Sequence, residues 1–256
     1  MLKRFVIIAI LFLLIGQLTQ IFAKPIEGLK DADSLYHKYL KTNNLEVLKK
    51  AVYEYKKIAD ANPSNYEANW KTAMACREYA ENFKKQGLPN WKEICREYGK
   101  MGMKYAYRAI KLNPDGVEGY FYYGLCVGSY SDGVSILTAL KEGLKGKTQH
   151  AFERAYEINK KYRDGTPIVA LGRFWEILPW FAGRDKNKAL KLYEEAYKIM
   201  PENSKYRPEL LYYLGNLLVK TKKDKTRGIK LLELAAKSKD QYFSKLAQKA
   251  LQRYKK

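Results

Sequence analysis

The sequence has few of the residues on which catalysis and metal binding usually depend. Its only histidines are His37 and His150, which lie far apart along the chain, and each is predicted to be a surface or hairpin residue. It contains no G-x-S-x-G nucleophile motif, no H-E-x-x-H zinc motif and no glycine-rich phosphate-binding loop. The sequence therefore predicts a protein that is not an enzyme, with no catalytic residue, no cofactor and no metal site.

Cysteine is scarce as well, and no two of the three cysteines form a C-x-x-C pair. This spacing disfavours a zinc site or a thioredoxin-type site. Cys76 and Cys95 could face each other across a helical hairpin, where an oxidising compartment would permit a disulfide. The alternative is that all three cysteines, including Cys126, are buried free thiols that pack as small hydrophobic residues.

Alternating strand patterns are missing, and almost every segment has a helical period instead. Within this helical pattern, spacings of 4, 3 and 5 residues recur between the same kinds of residue, which predicts helix pairs in tandem. The four copies of this frame are Ala51, Tyr55, Ile58 and Pro63; Gly102, Ala106, Ala109 and Pro114; Ala189, Tyr193, Ala196 and Pro201; and Gly228, Leu232, Ala235 and Asp240.

A small residue occupies the matching place in the first helix of four pairs, because a close helix crossing needs a minimal side chain. These small residues are Ala73, Gly124, Gly172 and Gly215. With Tyr120 and Tyr123 ahead of Gly124, and with the frame that ends at Pro201, residues 30–240 resemble the tetratricopeptide repeat (TPR) family. The resemblance implies an all-α fold, an irregular TPR helical solenoid.

Two spacings are longer than the repeat frame allows, and they predict insertions. One is a long hairpin near residues 86–90, and the other is an extra helix near residues 134–144. The terminal helix has the polar character of a solenoid cap. The predicted helices are 31–42, 44–61, 66–84, 91–112, 117–130, 134–144, 148–161, 167–178, 186–199, 206–221, 225–238 and 241–254.

The N-terminus has the layout of a secretory signal. Lys3 and Arg4 precede an apolar run from Phe5 to Ile15, and Ala23 offers a cleavage site before Lys24. The sequence therefore predicts a signal peptide at residues 1–23, a TPR-like domain at residues 24–256 and a periplasmic location. The alternative is an uncleaved N-terminal membrane anchor.

The repeat register predicts which side chains face the concave groove, and these side chains are mainly aromatic and apolar with few charges. Trp70, Phe121 and Tyr212 are the expected anchors, and Arg173 or Glu176 would orient a ligand. Such a groove suits a partner protein or an apolar ligand, unless the inserted helix fills it. The predicted groove residues are Trp70, Met74, Arg77, Phe121, Leu125, Val169, Arg173, Glu176, Tyr212 and Asn216.

A narrower resemblance covers residues 164–179. Asp164-Gly165-Thr166-Pro167, Leu171-Gly172-Arg173-Phe174 and Leu178-Pro179 resemble a block of the periplasmic T component of TRAP-type transporters. That family partners a periplasmic solute-binding protein and usually carries a lipid-bearing cysteine, which this chain lacks. The resemblance implies an accessory role in solute transport. Trp180 and Phe181, which follow this block, are expected to pack against the next repeat.

Acidic residues are also few, with 27 Asp and Glu against 48 Lys and Arg, and the formal net charge is +21. Such an excess attracts acidic partners and anionic lipid, whereas the export signal disfavours nucleic acid. The sequence therefore predicts an exported, noncatalytic scaffold that binds a partner in its groove. The alternative is a membrane-surface scaffold held by its N-terminal helix and its basic C-terminal end.

Overall fold

The computed structural model describes residues 28–254, and this part of the chain forms helices without a strand. The predicted signal segment, residues 1–23, lies outside the described residues. The described part of the chain also contains a 3-10 turn at Trp180–Ala182. The helices are α1 (Leu29–Thr42), α2 (Leu45–Ala61), α3 (Tyr66–Lys85), α4 (Trp91–Leu112), α5 (Val117–Gly133), α6 (Ile136–Lys141), α7 (Leu144–Asn159), α8 (Tyr162–Ile177), α9 (Lys186–Ile199), α10 (Arg207–Lys220), α11 (Lys225–Ala236) and α12 (Gln241–Tyr254).

The helices start and stop where the sequence supplies caps and breaks. The side chains of Asn44, Asn65, Asp185 and Asp224 each accept hydrogen bonds from backbone N–H groups in the first turn of the helix that follows. This arrangement satisfies donors that otherwise have no intrahelical partner. The prolines of the repeat frame lie just beyond the ends of α2, α4 and α9, as predicted.

Each helix packs on its neighbours along the chain, so the core runs through the solenoid as connected clusters. One cluster joins α1 to α5, and a second joins α8 to α12. Phe152 from α7 packs with Leu171, Phe174 and Leu178 between the two. The predicted insertions are present as well, as the turn between α3 and α4 and as α6. Within the described residues, α6 packs mainly against α7.

The small residues of the repeat lie at close helix crossings, as the sequence predicts. A Cβ atom added to Gly124 would lie 2.6 Å from the Phe152 ring, and one on Gly172 would lie 2.7 Å from the Tyr193 ring. A Cβ atom on Gly215 would lie 2.8 Å from the carbonyl oxygen of Gly228. The helix backbones therefore approach one another more closely than any larger side chain permits.

Buried and half-buried tyrosines join different helices through hydrogen bonds to carboxylates. Each hydroxyl group donates to an Asp or Glu on another helix, and burial raises the pKa of every one of these tyrosines, so that they stay protonated donors. The pairs are Tyr55 with Asp33 (2.6 Å), Tyr66 with Glu118 (2.8 Å), Tyr105 with Asp60 (2.8 Å), Tyr156 with Glu195 (3.0 Å) and Tyr193 with Glu176 (2.8 Å).

The cysteines are buried free thiols, which is the second of the two alternatives that the sequence left open. Cys95 directs its thiol towards the carbonyl oxygen of Ala80, and Cys126 directs its thiol towards that of Ala73. Burial raises the pKa of the Cys126 thiol to about 12, so it packs as a neutral group.

Between residues 28 and 254, no helix combines the length and the apolar character that a membrane crossing requires.

Two glycines on adjacent helices test the close-packing constraint. A Cβ atom on Gly99 of α4 would lie 2.6 Å from the backbone nitrogen of Tyr130, whereas Gly128 of α5 has nothing within 4 Å. We expect Gly99→Ala to lower the free energy of unfolding by about 1–3 kcal/mol, because the helices must separate. The matched control Gly128→Ala should raise it by roughly 0.5–1 kcal/mol. Urea unfolding followed by circular dichroism measures both, and equal effects would contradict the crossing.

Candidate functional site

The structure divides the predicted groove residues between the core and the concave face. Met74, Phe121, Val169 and Asn216 are buried. The others, which are Trp70, Arg77, Leu125, Arg173, Glu176 and Tyr212, keep part of their surface. The concave face is therefore smaller than the repeat register predicted.

The predicted anchor Phe121 is a core residue, because the next repeat covers it. Its ring centroid lies 5.6 Å from that of Tyr162, the first residue of α8, and 5.3 Å from that of Tyr122. Asn216 is occupied in another way, since its side-chain oxygen accepts a 2.6 Å hydrogen bond from the Tyr254 hydroxyl of the terminal helix. Neither side chain is free to contact a partner.

The concave face is also more highly charged than the sequence suggested, and this corrects the expectation of few charges. On α3, the Arg77 guanidinium lies 3.8 Å from Glu78 and 3.7 Å from Glu81, and Lys85 lies 3.5 Å from Glu81. Lys85 and Arg77 also act electrostatically on Glu209 of α10, whose pKa is raised by burial. Charged groups from distant repeats therefore share one surface.

The solenoid curves far enough to bring its first half against its last helices. The Lys85 ammonium group lies 5.0 Å from the ring centroid of Tyr242 and 5.4 Å from that of Phe243, both on α12. These distances are within the range of cation–π attraction. Side chains of α3 and α12 are therefore in direct contact, although the two helices are far apart along the chain.

Arg173 and Glu176 lie together on this face, as the sequence predicts for residues one helical turn apart. Arg173 donates to Glu176 at 2.8 Å, and Glu176 also accepts from the Tyr193 hydroxyl. The Arg173 guanidinium lies 4.6 Å from the ring centroid of Tyr213. Because the two charges satisfy each other, neither is an unpaired contact for a ligand.

Arg163 is the residue of this face that the sequence did not reveal. Its guanidinium donates to the Tyr122 hydroxyl and lies 5.9 Å and 5.0 Å from the ring centroids of Tyr122 and Tyr206. Within residues 28–254, Arg163 forms no ion pair with a carboxylate, and the groups that act on its charge are tyrosines. Arg163 is therefore a cation held by aromatic rings and phenol groups alone.

Backbone conformation explains why Arg163 reaches this position. Arg163, Asp164 and Gly165 have positive φ angles of 47°, 61° and 97°, so α8 is broken at its first turn. Asp164 accepts a 2.8 Å hydrogen bond from the Ser204 hydroxyl, which holds the break against the loop before α10. Of these three residues, only Gly165 is of a type that indicates a turn with positive φ. A positive φ is unusual for arginine, so Arg163 gave no such signal.

Around Arg163, aromatic side chains line the face between the two halves of the solenoid. The Trp70 ring stacks on Tyr122, with centroids 5.9 Å apart and planes inclined by 4°. Tyr36 of α1 is close enough to interact with both Tyr122 and Arg163. We define the Arg163 cluster as Tyr36, Trp70, Tyr122, Arg163 and Tyr206.

Both histidines of the chain lie at the surface of the solenoid. His37 and His150 are exposed, and His150 lies beside the Tyr120 ring, so both are surface residues as predicted. No group of three or more His, Cys, Asp or Glu between residues 28 and 254 could hold a metal ion. The Arg163 cluster presents one cation together with several aromatic rings.

The chain matches one family model and is similar to several solved structures. The family model described as "RMD1-3: Regulator of microtubule dynamics protein 1-3" matches residues 28–175. A thermophilic TPR protein of Thermus thermophilus, TTC0263, has a similar structure, with a TM-score of 0.59 and 13% identity over 86% of this chain and 99% of that one. The structure of the human IFIT1 dimer with PPP-AAAA has a TM-score of 0.48 and 14% identity, over 81% of this chain and 59% of that one. Among curated proteins, no sequence matches significantly.

The likeness to TTC0263 shows the fold, which is a TPR-like helical repeat.

The charge network of α3 makes stability depend on pH. Burial would raise the pKa of Glu81, but Arg77, Lys85 and Lys84 outweigh it and lower the pKa to about 2. A carboxylate with a lowered pKa stabilises the fold above its unfolded pKa, and this stabilisation is lost as the pH falls towards 2. We expect Glu81→Gln to cost about 1–3 kcal/mol at pH 7.

The difference in free energy of unfolding between this variant and the parent should shrink as the pH falls from about 4.5 to 2. Urea unfolding at each pH measures this difference. Glu202→Gln, at an exposed position beyond α9, is the matched control. A Glu81→Gln penalty that stays constant down to pH 2 would show that the carboxylate does not carry the effect.

Proposed function

The chain belongs to the regulator of microtubule dynamics protein 1-3 family, and we propose that it is a noncatalytic repeat scaffold that binds an acidic segment of a partner protein. The fold supports a binding role, because TPR-like solenoids present extended concave surfaces to peptides and proteins. On this proposal, the binding site is the Arg163 cluster on the concave face.

The observation that carries the proposal is the state of Arg163. A guanidinium group is recognised best by a carboxylate, which accepts two parallel hydrogen bonds from it. Among residues 28–254, Arg163 instead has the Tyr122 hydroxyl and neighbouring tyrosine rings as partners, and it forms no ion pair with a carboxylate. A Glu or Asp of a bound segment would supply the missing carboxylate at a site that already excludes much of the solvent.

The neighbouring side chains suit an extended segment with apolar residues beside its acidic one. Trp70 and Tyr206 are partly exposed on either side of Arg163, and Tyr212 continues the aromatic surface towards the terminal helix. Aromatic rings provide large contact areas with little loss of side-chain freedom. Trp70 and Tyr212 thus remain contact residues in this proposal, and Arg163 replaces Phe121 as the anchor.

Charge over the whole molecule favours the same class of partner. With a formal net charge of +21, the chain attracts acidic surfaces over a distance of about one Debye length, roughly 8–10 Å at physiological salt. The family's name refers to microtubule dynamics, which makes microtubules the first acidic protein assembly to test.

The sequence resemblance also suggests a more specific function, which is a periplasmic role beside a TRAP-type transporter. The residues of that block have structural tasks here: Asp164 and Gly165 form the break in α8, and Leu171 and Gly172 pack in the core. These structural roles support one explanation of the resemblance to the TRAP family, namely that both start a repeat helix in the same way. They support a common partner less directly. Export itself depends on residues 1–23.

The export proposal has a direct test in the mature N-terminus. We expect intact-mass measurement of the protein from its native source to give a chain that begins at Lys24, because Ala23 precedes the cleavage site. A chain that retains residues 1–23 would contradict cleavage and would favour the membrane-anchored alternative. The result does not depend on whether the Arg163 cluster binds a partner.

Replacing Arg163 tests the proposed binding site. We expect Arg163→Gln to weaken binding to a glutamate-rich peptide, and to microtubules in cosedimentation, by about tenfold or more, since a charged hydrogen bond contributes roughly 1.5–3 kcal/mol. Glutamine keeps a donor for the Tyr122 hydroxyl, and circular dichroism checks that the helices remain.

The matched control is Arg96→Gln, which removes the same charge from an exposed position on α4. It should leave binding nearly unchanged apart from a small salt-dependent loss. Equal weakening by the two variants would show that only net charge matters, and unchanged binding by Arg163→Gln would remove the cluster from the binding site.

A further inference from the structure

The exposed apolar side chains of the solenoid concentrate around one end of α7. Ile136, Leu137 and Leu140 of α6 are all exposed, and Leu137 keeps 78% of its surface. The second group lies at the end of α8 and in the 3-10 turn, where Trp180 keeps 82% of its surface. The six residues, which we name the apolar edge, are Ile136, Leu137, Leu140, Ile177, Trp180 and Phe181.

The two halves of the apolar edge border the same turn of helix. Only two residues separate α6 from Leu144, the first residue of α7, which is buried against Val127 and Tyr130. On the other side, the ammonium group of Lys145 lies 3.5 Å from the position that a Cβ atom would take on Gly183, just after the 3-10 turn. The first turn of α7 therefore connects both exposed segments.

The turn that presents Trp180 is held firmly, which corrects the expectation that Trp180 and Phe181 pack against the next repeat. Backbone hydrogen bonds close it from Ala182 to Pro179 and from Gly183 to Trp180, at 3.0 Å and 3.3 Å. Arg184 donates from Nε to the carbonyl oxygen of Leu178. The fold thus holds two aromatic rings outward in a hydrogen-bonded turn.

Basic side chains surround the apolar edge. Lys141, Lys145 and Lys147 are exposed beside α6, and Arg184 and Lys186 lie beside the 3-10 turn. The acidic residues of the same two segments are Glu142, which accepts a hydrogen bond from Tyr130, and Asp185, which caps α9. The edge therefore combines an apolar centre with a basic rim.

We propose that the apolar edge is a membrane-docking surface that inserts Trp180, Phe181 and the leucines of α6 among the headgroups of an anionic bilayer. Tryptophan and aliphatic side chains with a lysine-rich border are the combination that holds proteins in the membrane interface. Charge favours a bilayer over a second copy of the chain as the partner of this surface. The basic rim attracts anionic lipid, whereas it repels the same rim of another copy. This surface differs from the basic C-terminal end that the sequence suggested.

Tryptophan fluorescence can follow docking at the apolar edge itself. The full chain is mixed with phosphatidylcholine vesicles that contain about one third phosphatidylserine, with lipids brominated on the acyl chain as quenchers of inserted rings. We expect the emission of Trp180 to be quenched. The emission of Trp180 is obtained by subtracting the fluorescence of the Trp180→Phe variant from that of the parent chain. Emission from the other tryptophans, Trp70, Trp91 and Trp175, cancels in that difference. Unquenched Trp180 on these vesicles would overturn the proposal.

Paired variants separate the apolar centre, the basic rim and non-specific effects. Leu137→Ser with Leu140→Ser should abolish quenching of Trp180, whereas the control Tyr53→Ser, at a residue of α2 that keeps 64% of its surface, should not. Lys141→Gln with Lys145→Gln should weaken quenching, whereas Lys245→Gln with Lys249→Gln on α12 should leave it unchanged.

Two further outcomes would refute docking on an anionic bilayer. One is equal quenching on vesicles of phosphatidylcholine alone, which would remove the role of the basic rim. The other is a dimer in sedimentation that Leu137→Ser dissociates, without quenching of Trp180, which would make the edge an interface between copies. The local readout matters because the apolar run at residues 5–15 could bring the chain to vesicles by itself.

Discussion

Close approach between neighbouring helix backbones is the constraint on which the rest of this structure depends. At Gly99, Gly124, Gly172 and Gly215, a single added carbon atom would collide with the facing helix or its rings. Because these crossings recur along the chain, they set the distance between repeats and so the curvature of the solenoid. That curvature is what brings Lys85 of α3 within 5.4 Å of the Phe243 ring on α12.

The tyrosines add hydrogen bonds between helices to the close packing that the glycines permit. At some of these crossings, a tyrosine of the facing helix packs over the glycine and donates to a nearby carboxylate. Tyr193 shows both relations, since it packs over Gly172 and donates to Glu176. Since a buried hydroxyl without a partner would cost stability, each carboxylate fixes the register of its repeat as well as its packing. These hydrogen bonds give five of the 22 tyrosines a structural role.

Sequence periodicity predicted the fold well, and it predicted the candidate site only in part. Helix caps, frame prolines and small crossing residues are local signals, and the helices α1 to α12 follow them closely. The pair Arg173 and Glu176 was found because residues three apart on a helix share a face. Phe121 was misplaced because the ring that covers it, Tyr162, belongs to another helix, whose position no local pattern specifies.

By itself, the sequence determined the helical class, the repeat frame, the inserted α6 and the positive charge, because each follows from the composition of the chain or from the spacing of residues along it. Only the tertiary structure decided that the cysteines stay free, that the concave face is charged, and that Arg163 lies between Tyr122 and Tyr206. It also decided that Trp180 points outward. The physical reason is the same in each case: burial and partners depend on helices that are distant along the chain and meet only after the solenoid has curved.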